Sequence, residues 1–271
     1  MSLRPLAIGA TAHAALGRAG GVARVLARLS TSTYLTADGE IVWLGGPDAI
    51  MHPRSILVAA APRPVSDDVH VDVAALSPWR PVPLALEGVT MATLAERWRA
   101  LDAATLGTPG GFGALLAGRP LTFPLYGARD AAAAVARACA HHEAAAVAEA
   151  ALALLGVGGG LTPSGDDYVG GALFVHALFG FVGPGDTAAW RHTVERVLAA
   201  APTRTHPISV ALLGDLATGL SWAPLHALVA ALAAGPTAAA REAAHRLVGL
   251  GHTSGWDMLA GVAAGLGVLD G

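Results

Sequence analysis

The chain of 271 residues contains no lysine, no asparagine and no glutamine, so its 17 basic residues are all arginine. Without lysine the protein cannot form a Schiff base, anchor pyridoxal phosphate or complete a Walker phosphate loop. The net charge is -3 and the arginines are scattered singly, so no basic stripe is available to neutralise a nucleic-acid backbone. These absences exclude several enzyme classes and argue against nucleic acid as a partner.

Cysteine and long apolar runs are also scarce. Cys139 is the only cysteine, which excludes an internal disulfide and a cysteine-based metal cluster. The most apolar window, residues 168–182, is shorter than the roughly 20 residues needed to cross a bilayer. The first residues also lack the apolar stretch of a signal peptide. We therefore expect a cytoplasmic protein with no membrane partner.

The first third of the chain has the period of short β-strands. Residues 33–36 and 40–44 flank an Ala-Asp-Gly turn, which predicts a hairpin. Residues 22–29 fit either a strand or a helix, and further short strands are indicated at 54–60, 69–73 and 82–86. No long helix intervenes to support a parallel sheet. We predict a small antiparallel β-sheet or barrel over residues 1–88.

From about residue 90 the apolar period becomes helical, which predicts an α-helical bundle domain over residues 89–271 and an α+β fold class. The helices are rich in alanine and glycine, and this composition permits close packing of helix axes. Helices are predicted at 91–101, 130–155, 166–181, 187–201, 208–220, 224–234, 237–250 and 254–269.

Two octapeptides in the helical half follow one pattern, Ser-Gly-x-Asp-x-x-x-Gly. They begin at Ser164 and at Ser254, and each follows a glycine-bearing loop and leads into an apolar helix. The last residue of each octapeptide is a glycine, Gly171 or Gly261, which would let the backbone of another segment come close to the helix. We expect the two helices to pack across a pseudo-twofold axis with converging N-termini.

Both octapeptides have the composition of a helix start. Serine at an N-cap accepts a backbone N–H and an acid three positions on can reach back, so Ser164 with Asp167 predicts a capping box. A helix N-terminus after a glycine-rich loop also presents N–H donors and a positive dipole to a phosphate or carboxylate. Capping alone explains a single Ser-Gly-x-Asp, but the longer run 156–167 favours anion binding.

Asp166 and Asp167 are adjacent, and two carboxylates would repel an anion unless they cap backbone, pair with arginine or hold a cation. With Asp167 assigned to the cap, Asp166 is expected to be the freer group, available to orient an amide or a metal. The pattern requires no cofactor, and bound Mg²⁺ stays open as an alternative.

A third polar cluster, residues 203–209, lies at another helix start, with Pro207 suited to the first helical position. Arg204 can clamp a carboxylate or phosphate with two parallel hydrogen bonds, and His206 with nearby hydroxyl groups could orient a small polar substrate. A capped loop with Arg204 in solvent is an equally open alternative.

His141, His142 and Glu143 are consecutive, and adjacent helical residues point about 100° apart, so they cannot easily share one ion. A solvated helix face explains them better, and no metal site is predicted. The sequence has neither a Gly-x-Ser-x-Gly nor a His-Glu-x-x-His motif, which argues against the standard hydrolases.

The run from Leu155 to Asp167 resembles the signature of an uncharacterised-domain family that contains AllH, the oxamate carbamoyltransferase subunit of bacterial allantoin degradation in purine catabolism. The resemblance also covers 205–219 and 251–257 and, more weakly, the hairpin at 34–44. Gly159 stands where the family usually has proline, which loosens the loop without removing an anion-facing group.

The resemblance implies transfer of a carbamoyl group between oxalurate and phosphate, giving oxamate and carbamoyl phosphate, in an oligomer with other carbamoyltransferase subunits. On this hypothesis Asp166, Arg204 and Asp257 are catalytic, with Arg204 holding a carboxylate and the two aspartates orienting the amide. Aimed N–H groups would stabilise the tetrahedral intermediate. The candidate substrate-binding residues are Gly158, Gly159, Gly160, Thr162, Ser164, Gly165, Asp167, Thr205, His206, Ser209, Thr253, Ser254 and Gly255. The alternative is a non-catalytic small-anion-binding or assembly subunit.

Overall fold

The computed structural model describes residues 2–59, 66–74, 76–179, 187–235 and 237–269. The chain divides into two compact units, residues 1–83 with 221–223, and residues 84–220 with 224–271. The first unit contains the β-sheet and the second is helical. The predicted α+β class is therefore confirmed.

The described strands of the first unit form one seven-stranded sheet in the order β1-β7-β3-β4-β5-β6-β2. The pairs β1/β7 and β5/β6 are parallel, and the other neighbours are antiparallel, so the sheet is mixed. The strands are β1 Ser2–Leu3, β2 Pro5–Ile8, β3 Val22–Arg28, β4 Ser32–Ala37, β5 Glu40–Gly45, β6 Ser55–Val58 and β7 Asp68–Val71. Residue 60 of the strand predicted at 54–60 lies outside the described residues.

The predicted hairpin is confirmed by β4 and β5, which pair from Ser32 with Gly45 to Ala37 with Glu40. Its two turn residues, Asp38 and Gly39, both have positive φ, of 49° and 76°. This conformation matches the right-handed twist of the flanking strands and suits an Asp-Gly pair.

One helix of this unit, α1 (Ala10–Arg18), is missing from the prediction, although its alanine content favours a helix. It buries Ala12, Ala15 and Leu16 in the core of the sheet. The predicted strand at 82–86 is not a strand, since Pro81 and Pro83 lack N–H groups and cannot donate to a ladder.

The α-helices of the second unit agree with most of the predicted segments. They are α2 Met91–Arg99, α3 Gly113–Leu116, α4 Arg129–Ala140, α5 Ala144–Leu154, α6 Ser164–Leu178, α7 Thr187–Ala200, α8 Pro207–Ala217, α9 Ala223–Ala234, α10 Thr237–Val248 and α11 Ser254–Gly265. Residues 180–181 of the helix predicted at 166–181 lie outside the described residues.

The single helix predicted over 130–155 is wrong, because α4 and α5 are separate. His142 between them has a φ of 57°, which a continuing helix cannot accommodate. His141, which is exposed, and His142, which is partly buried, are therefore turn residues rather than part of a helix face.

Helix α6 is buried on every side, since all its residues from Ser164 to His176 are buried. A helix that is buried all round forms the centre of a bundle. Despite this apolar character, none of the helices in the described ranges combines the length and hydropathy that a bilayer crossing requires.

Candidate functional site

The two Ser-Gly-x-Asp helices, α6 and α11, lie against each other through their glycines. A Cβ placed on Gly171 would lie 2.4 Å from the Met258 carbonyl oxygen, and one on Gly261 would lie 2.1 Å from the Tyr168 carbonyl oxygen. Met258 and Tyr168 occupy the same position in the two octapeptides. The contact is reciprocal, as the predicted pseudo-twofold arrangement requires.

The two helix starts converge, and four hydroxyl groups meet between them. The Thr162 and Ser254 hydroxyl oxygens are 3.1 Å apart, and those of Ser164 and Thr253 are 3.4 Å apart. We call Thr162, Ser164, Thr253 and Ser254 the hydroxyl cluster. It brings together candidate residues that are about 90 positions apart in sequence.

The predicted capping box is wrong. Ser164 and Ser254 are the first residues inside their helices, and neither helix has a side-chain cap on its N-terminus. The serine hydroxyl groups instead face the opposite helix start, where each has a hydroxyl partner.

Gly165 and Gly255 are required by packing. A Cβ on Gly165 would lie 2.0 Å from the Leu154 carbonyl oxygen, and one on Gly255 would lie 1.9 Å from that of Leu247. The N–H of Gly165 donates to Val157 and that of Gly255 to Leu250. Both N–H groups are thus engaged by carbonyl oxygens of the preceding loop or helix end.

Asp166 was expected to be the freer carboxylate, and this expectation is wrong. It is 1% exposed and accepts hydrogen bonds from the Gly156 N–H at 2.8 Å, from the Ser209 hydroxyl at 2.7 Å and from the Thr205 hydroxyl. Asp166 therefore ties the glycine-rich loop to the start of α8.

Asp167 is the less satisfied of the adjacent pair. It is buried, and its Oδ2 has no hydrogen-bond partner among the described residues. Burial raises the pKa of Asp167 well above the ordinary 3.8, the charges of Asp257 and Asp166 raise it further, and the Ser254 hydroxyl group opposes the rise. Asp167 keeps its proton where an ordinary aspartate has lost it.

Asp257 occupies the equivalent position in α11. Its Oδ1 accepts the N–H of Phe112 at 2.6 Å, whereas its buried Oδ2 is unpartnered within the described ranges. Burial raises the pKa of Asp257 to about 7, against the opposing effects of the Phe112 N–H and of the Ser164 and Thr253 hydroxyl groups.

The turn that covers Asp257 was missed by sequence reasoning. Gly111 has a φ of 55°, and a Cβ there would lie 2.1 Å from Asp257 Oδ1. The turn thereby presents the Phe112 N–H to the carboxylate. The sequence signal for this turn is the adjacent glycine pair at 110 and 111.

The glycine-rich loop before α6 borders the hydroxyl cluster. A Cβ on Gly158 would lie 2.7 Å from the Ser164 nitrogen, so the loop backbone lies directly on the helix start. Gly159 and Gly160 are exposed, and open space lies where their side chains would be. The loop thus packs tightly at one end and faces solvent at the other.

The residues of the third polar cluster mainly hold the start of α8. Thr205 and Ser209 donate to Asp166, and His206 Nδ1 accepts the Ile208 N–H as the N-cap. Arg204 is exposed and donates to the Leu152 carbonyl oxygen at 2.6 Å. Its contact is with the end of α5.

Within the described part of the chain, no three histidine, cysteine, aspartate or glutamate side chains gather as a metal site. The partly exposed hydroxyl groups of Thr162, Thr253 and Ser254 can instead exchange hydrogen bonds with a small polar ligand, whereas the two unpartnered carboxyl oxygens are buried beneath them.

The family model described as oxamate carbamoyltransferase subunit AllH matches residues 154–266. This stretch contains both octapeptides, the glycine-rich loop and the third polar cluster. The match confirms the family resemblance over this part of the chain. Searches of curated proteins and of solved structures found no match.

Proposed function

We propose that this protein, whose residues 154–266 match the AllH family, is a subunit of an oxamate carbamoyltransferase. It acts with other subunits to move a carbamoyl group between oxalurate and phosphate, giving oxamate and carbamoyl phosphate. The observation that carries the proposal is that the matched stretch contains both helix starts that converge on the hydroxyl cluster.

The chemistry of the site suits small anions that also carry amide groups. Hydroxyl groups can donate to phosphate or carboxylate oxygens and accept from an amide N–H. The raised pKa of Asp167 reduces the repulsion that two ionised aspartates would impose on an anion. A protonated carboxyl group is itself a hydrogen-bond donor.

The ligand enters from the exposed side of the glycine-rich loop. Gly158, Gly159 and Gly160 contribute backbone N–H groups, and Thr162 and Ser254 contribute hydroxyl groups. Arg204 holds the ligand carboxylate after exchanging its contact with the Leu152 carbonyl oxygen, since the guanidinium group is exposed. Asp166 positions the loop and α8, and Asp257 orients the amide.

The test is a calorimetric titration of the full chain, alone and assembled with its partner subunits, with phosphate, carbamoyl phosphate, oxamate and oxalurate. Thr162→Val and Ser254→Ala each remove one ligand hydrogen bond, so we expect each Kd to rise about tenfold. Thr105→Val is the matched control, because that exposed hydroxyl group donates to the Asp102 carbonyl oxygen within its own turn.

Binding that survives both cluster variants would contradict the site. If neither the chain nor the assembly binds any of the four ligands while the variants disrupt assembly, the protein is a non-catalytic assembly subunit.

A further inference from the structure

The helical unit contains a cavity of about 460 Å³. Its described lining comes from the end of α2, from α3, from the start of α4 and from the segment that follows α11. None of the four residues of the hydroxyl cluster is among the described residues that line it. A cavity of this volume is typical of a binding site for a small organic ligand.

One part of the cavity wall is apolar and partly open to solvent. Trp98 and Leu101 are buried there, whereas Leu115, Leu116 and Leu269 are only half-buried. Apolar side chains that still contact water attract an apolar group, because binding removes surface on both sides from water. This part of the wall therefore favours a ligand with an apolar body.

The other part of the wall is basic. Arg99, Arg119 and Arg129 line the cavity together with one acid, Asp102, which leaves a formal excess of two positive charges. All three arginines are exposed, so a ligand can reach them. Among the described residues no acid forms an ion pair with any of them, whereas Arg196 is paired with a glutamate at 2.6 Å. The cavity therefore favours a ligand with two negative charges.

The backbone after α3 fixes Arg119 at the rim of the cavity. Gly118 has a φ of 63°, and the N–H groups of Gly118 and Arg119 donate to the carbonyl oxygens of Leu115 and Ala114. This is the Schellman turn that glycine favours after a helix. Within the described structure the Arg119 guanidinium group donates to the Pro109 carbonyl oxygen at 3.1 Å. A guanidinium group has five N–H donors, so the others are available to a ligand.

Arg129 is the first residue of α4, and this position adds to the attraction for an anion. The N-terminal end of a helix carries a partial positive charge, and the N-cap residue Ala128 provides no side-chain hydrogen bond there. Arg99 differs, because it ends α2, where a basic side chain complements the helix dipole. An anion beside Arg129 would neutralise both the guanidinium group and the helix end.

We propose that this cavity binds a small organic dianion with an apolar body, of the class of phosphate monoesters and aromatic dicarboxylates. The apolar body lies against Trp98 and the half-buried leucines, and the negative charges lie at Arg119 and Arg129. Guanidinium groups form charge-assisted, bidentate hydrogen bonds with the oxygens of phosphate and of carboxylate, which is the chemistry that the two classes share. The proposal is independent of the carbamoyltransferase function.

The test is a calorimetric titration of the full chain with phenyl phosphate and with phthalate, which separates the two ligand classes. Excess inorganic phosphate is present throughout, so that any site for the phosphate group alone is occupied. We expect saturable binding of at least one dianion, with a Kd that rises at least about tenfold in Arg119→Met and in Arg129→Met. Arg137→Met is the matched control, because this exposed arginine lies at the other end of α4, and it should keep the wild-type Kd.

A variant that fills the cavity tests the apolar part of the wall. Ala133→Leu adds apolar atoms at the lining, so we expect it to abolish binding of the dianion while circular dichroism shows a folded chain. The proposal is overturned if neither dianion binds in excess phosphate, or if Arg137→Met weakens binding as much as Arg129→Met. A Kd that rises equally in Ser254→Ala also overturns it, because the ligand then lies at the hydroxyl cluster.

Discussion

The starts of α6 and α11 share serine, glycine and aspartate but differ at the third position of the pattern, which is Asp166 in one and Trp256 in the other. Asp166 binds the glycine-rich loop and the start of α8 through three hydrogen bonds. Trp256 is an apolar contact, and its Cβ would lie 2.8 Å from a Cβ on Gly113. The shared serine, glycine and aspartate form the site between the two helix starts. The differing residue, Asp166 or Trp256, determines which neighbouring segment each helix start contacts.

The largest expected effect is the pH dependence of the free energy of unfolding that arises from the buried Asp257 in α11. Because the folded-state pKa of Asp257 is raised from 3.8 to about 7, the folded chain binds more protons than the unfolded chain between these values. The free energy of unfolding contributed by this group is greatest below pH 3.8 and falls by about 4 kcal/mol as the pH rises to 7. Asp257→Asn should flatten this slope in denaturant titrations from pH 4 to 8, whereas Asp130→Asn should preserve it.

The second largest expected effect comes from disrupting the close contact between α6 and α11. Gly261→Ala places a Cβ 2.1 Å from the Tyr168 carbonyl oxygen, so we expect a loss of about 3 kcal/mol in the free energy of unfolding. Gly214→Ala is the matched control, because that glycine lies in α8 with nothing within 4 Å of its Cβ. It should be neutral or slightly stabilising in the same thermal and chemical denaturation, and equal losses for both would refute the close approach.

A smaller effect is expected when the contacts made by Asp166 and by Trp256 are removed one at a time and compared. Asp166→Ala leaves the Gly156 N–H and the Ser209 hydroxyl group without their acceptor, and we expect it to cost about 2 kcal/mol. Trp256→Phe keeps an aromatic ring at the other start and should cost less. Urea denaturation of both variants at pH 7 checks the order, and the reverse order would assign the main anchor to α11.

The smallest effect compares the two serines. Each hydroxyl group lowers the pKa of the aspartate on the opposite helix, so Ser164→Ala should raise the pKa of Asp257 and Ser254→Ala should raise that of Asp167. We expect each to change stability by about 1 kcal/mol. Carbon-detected NMR titration of the aspartate carboxyl groups measures both shifts, and a shift confined to the serine's own helix would contradict the crossed arrangement.

Sequence periodicity predicted the β-rich and helical parts and the packing of the two octapeptides, because these depend on local patterns and repeated glycines. It failed where one residue changes the backbone, as at His142, and where proline removes ladder donors at 81 and 83. It exchanged the roles of Asp166 and Asp167, because hydrogen bonds from Thr205 and Ser209 arise only when α8 packs nearby. The Phe112 N–H was missed for the same reason. The domain boundary at residue 88 and the catalytic roles remain predictions.

Burial of α6 along residues 164–176 has a kinetic consequence. Amide hydrogens in such a segment exchange with solvent only when the surrounding helices separate, so their protection should equal the full unfolding free energy of the helical unit. The carboxyl group of Asp167 is attached to this fully buried helix segment. Its position relative to Asp257 is therefore fixed before any ligand arrives, and binding need not order it.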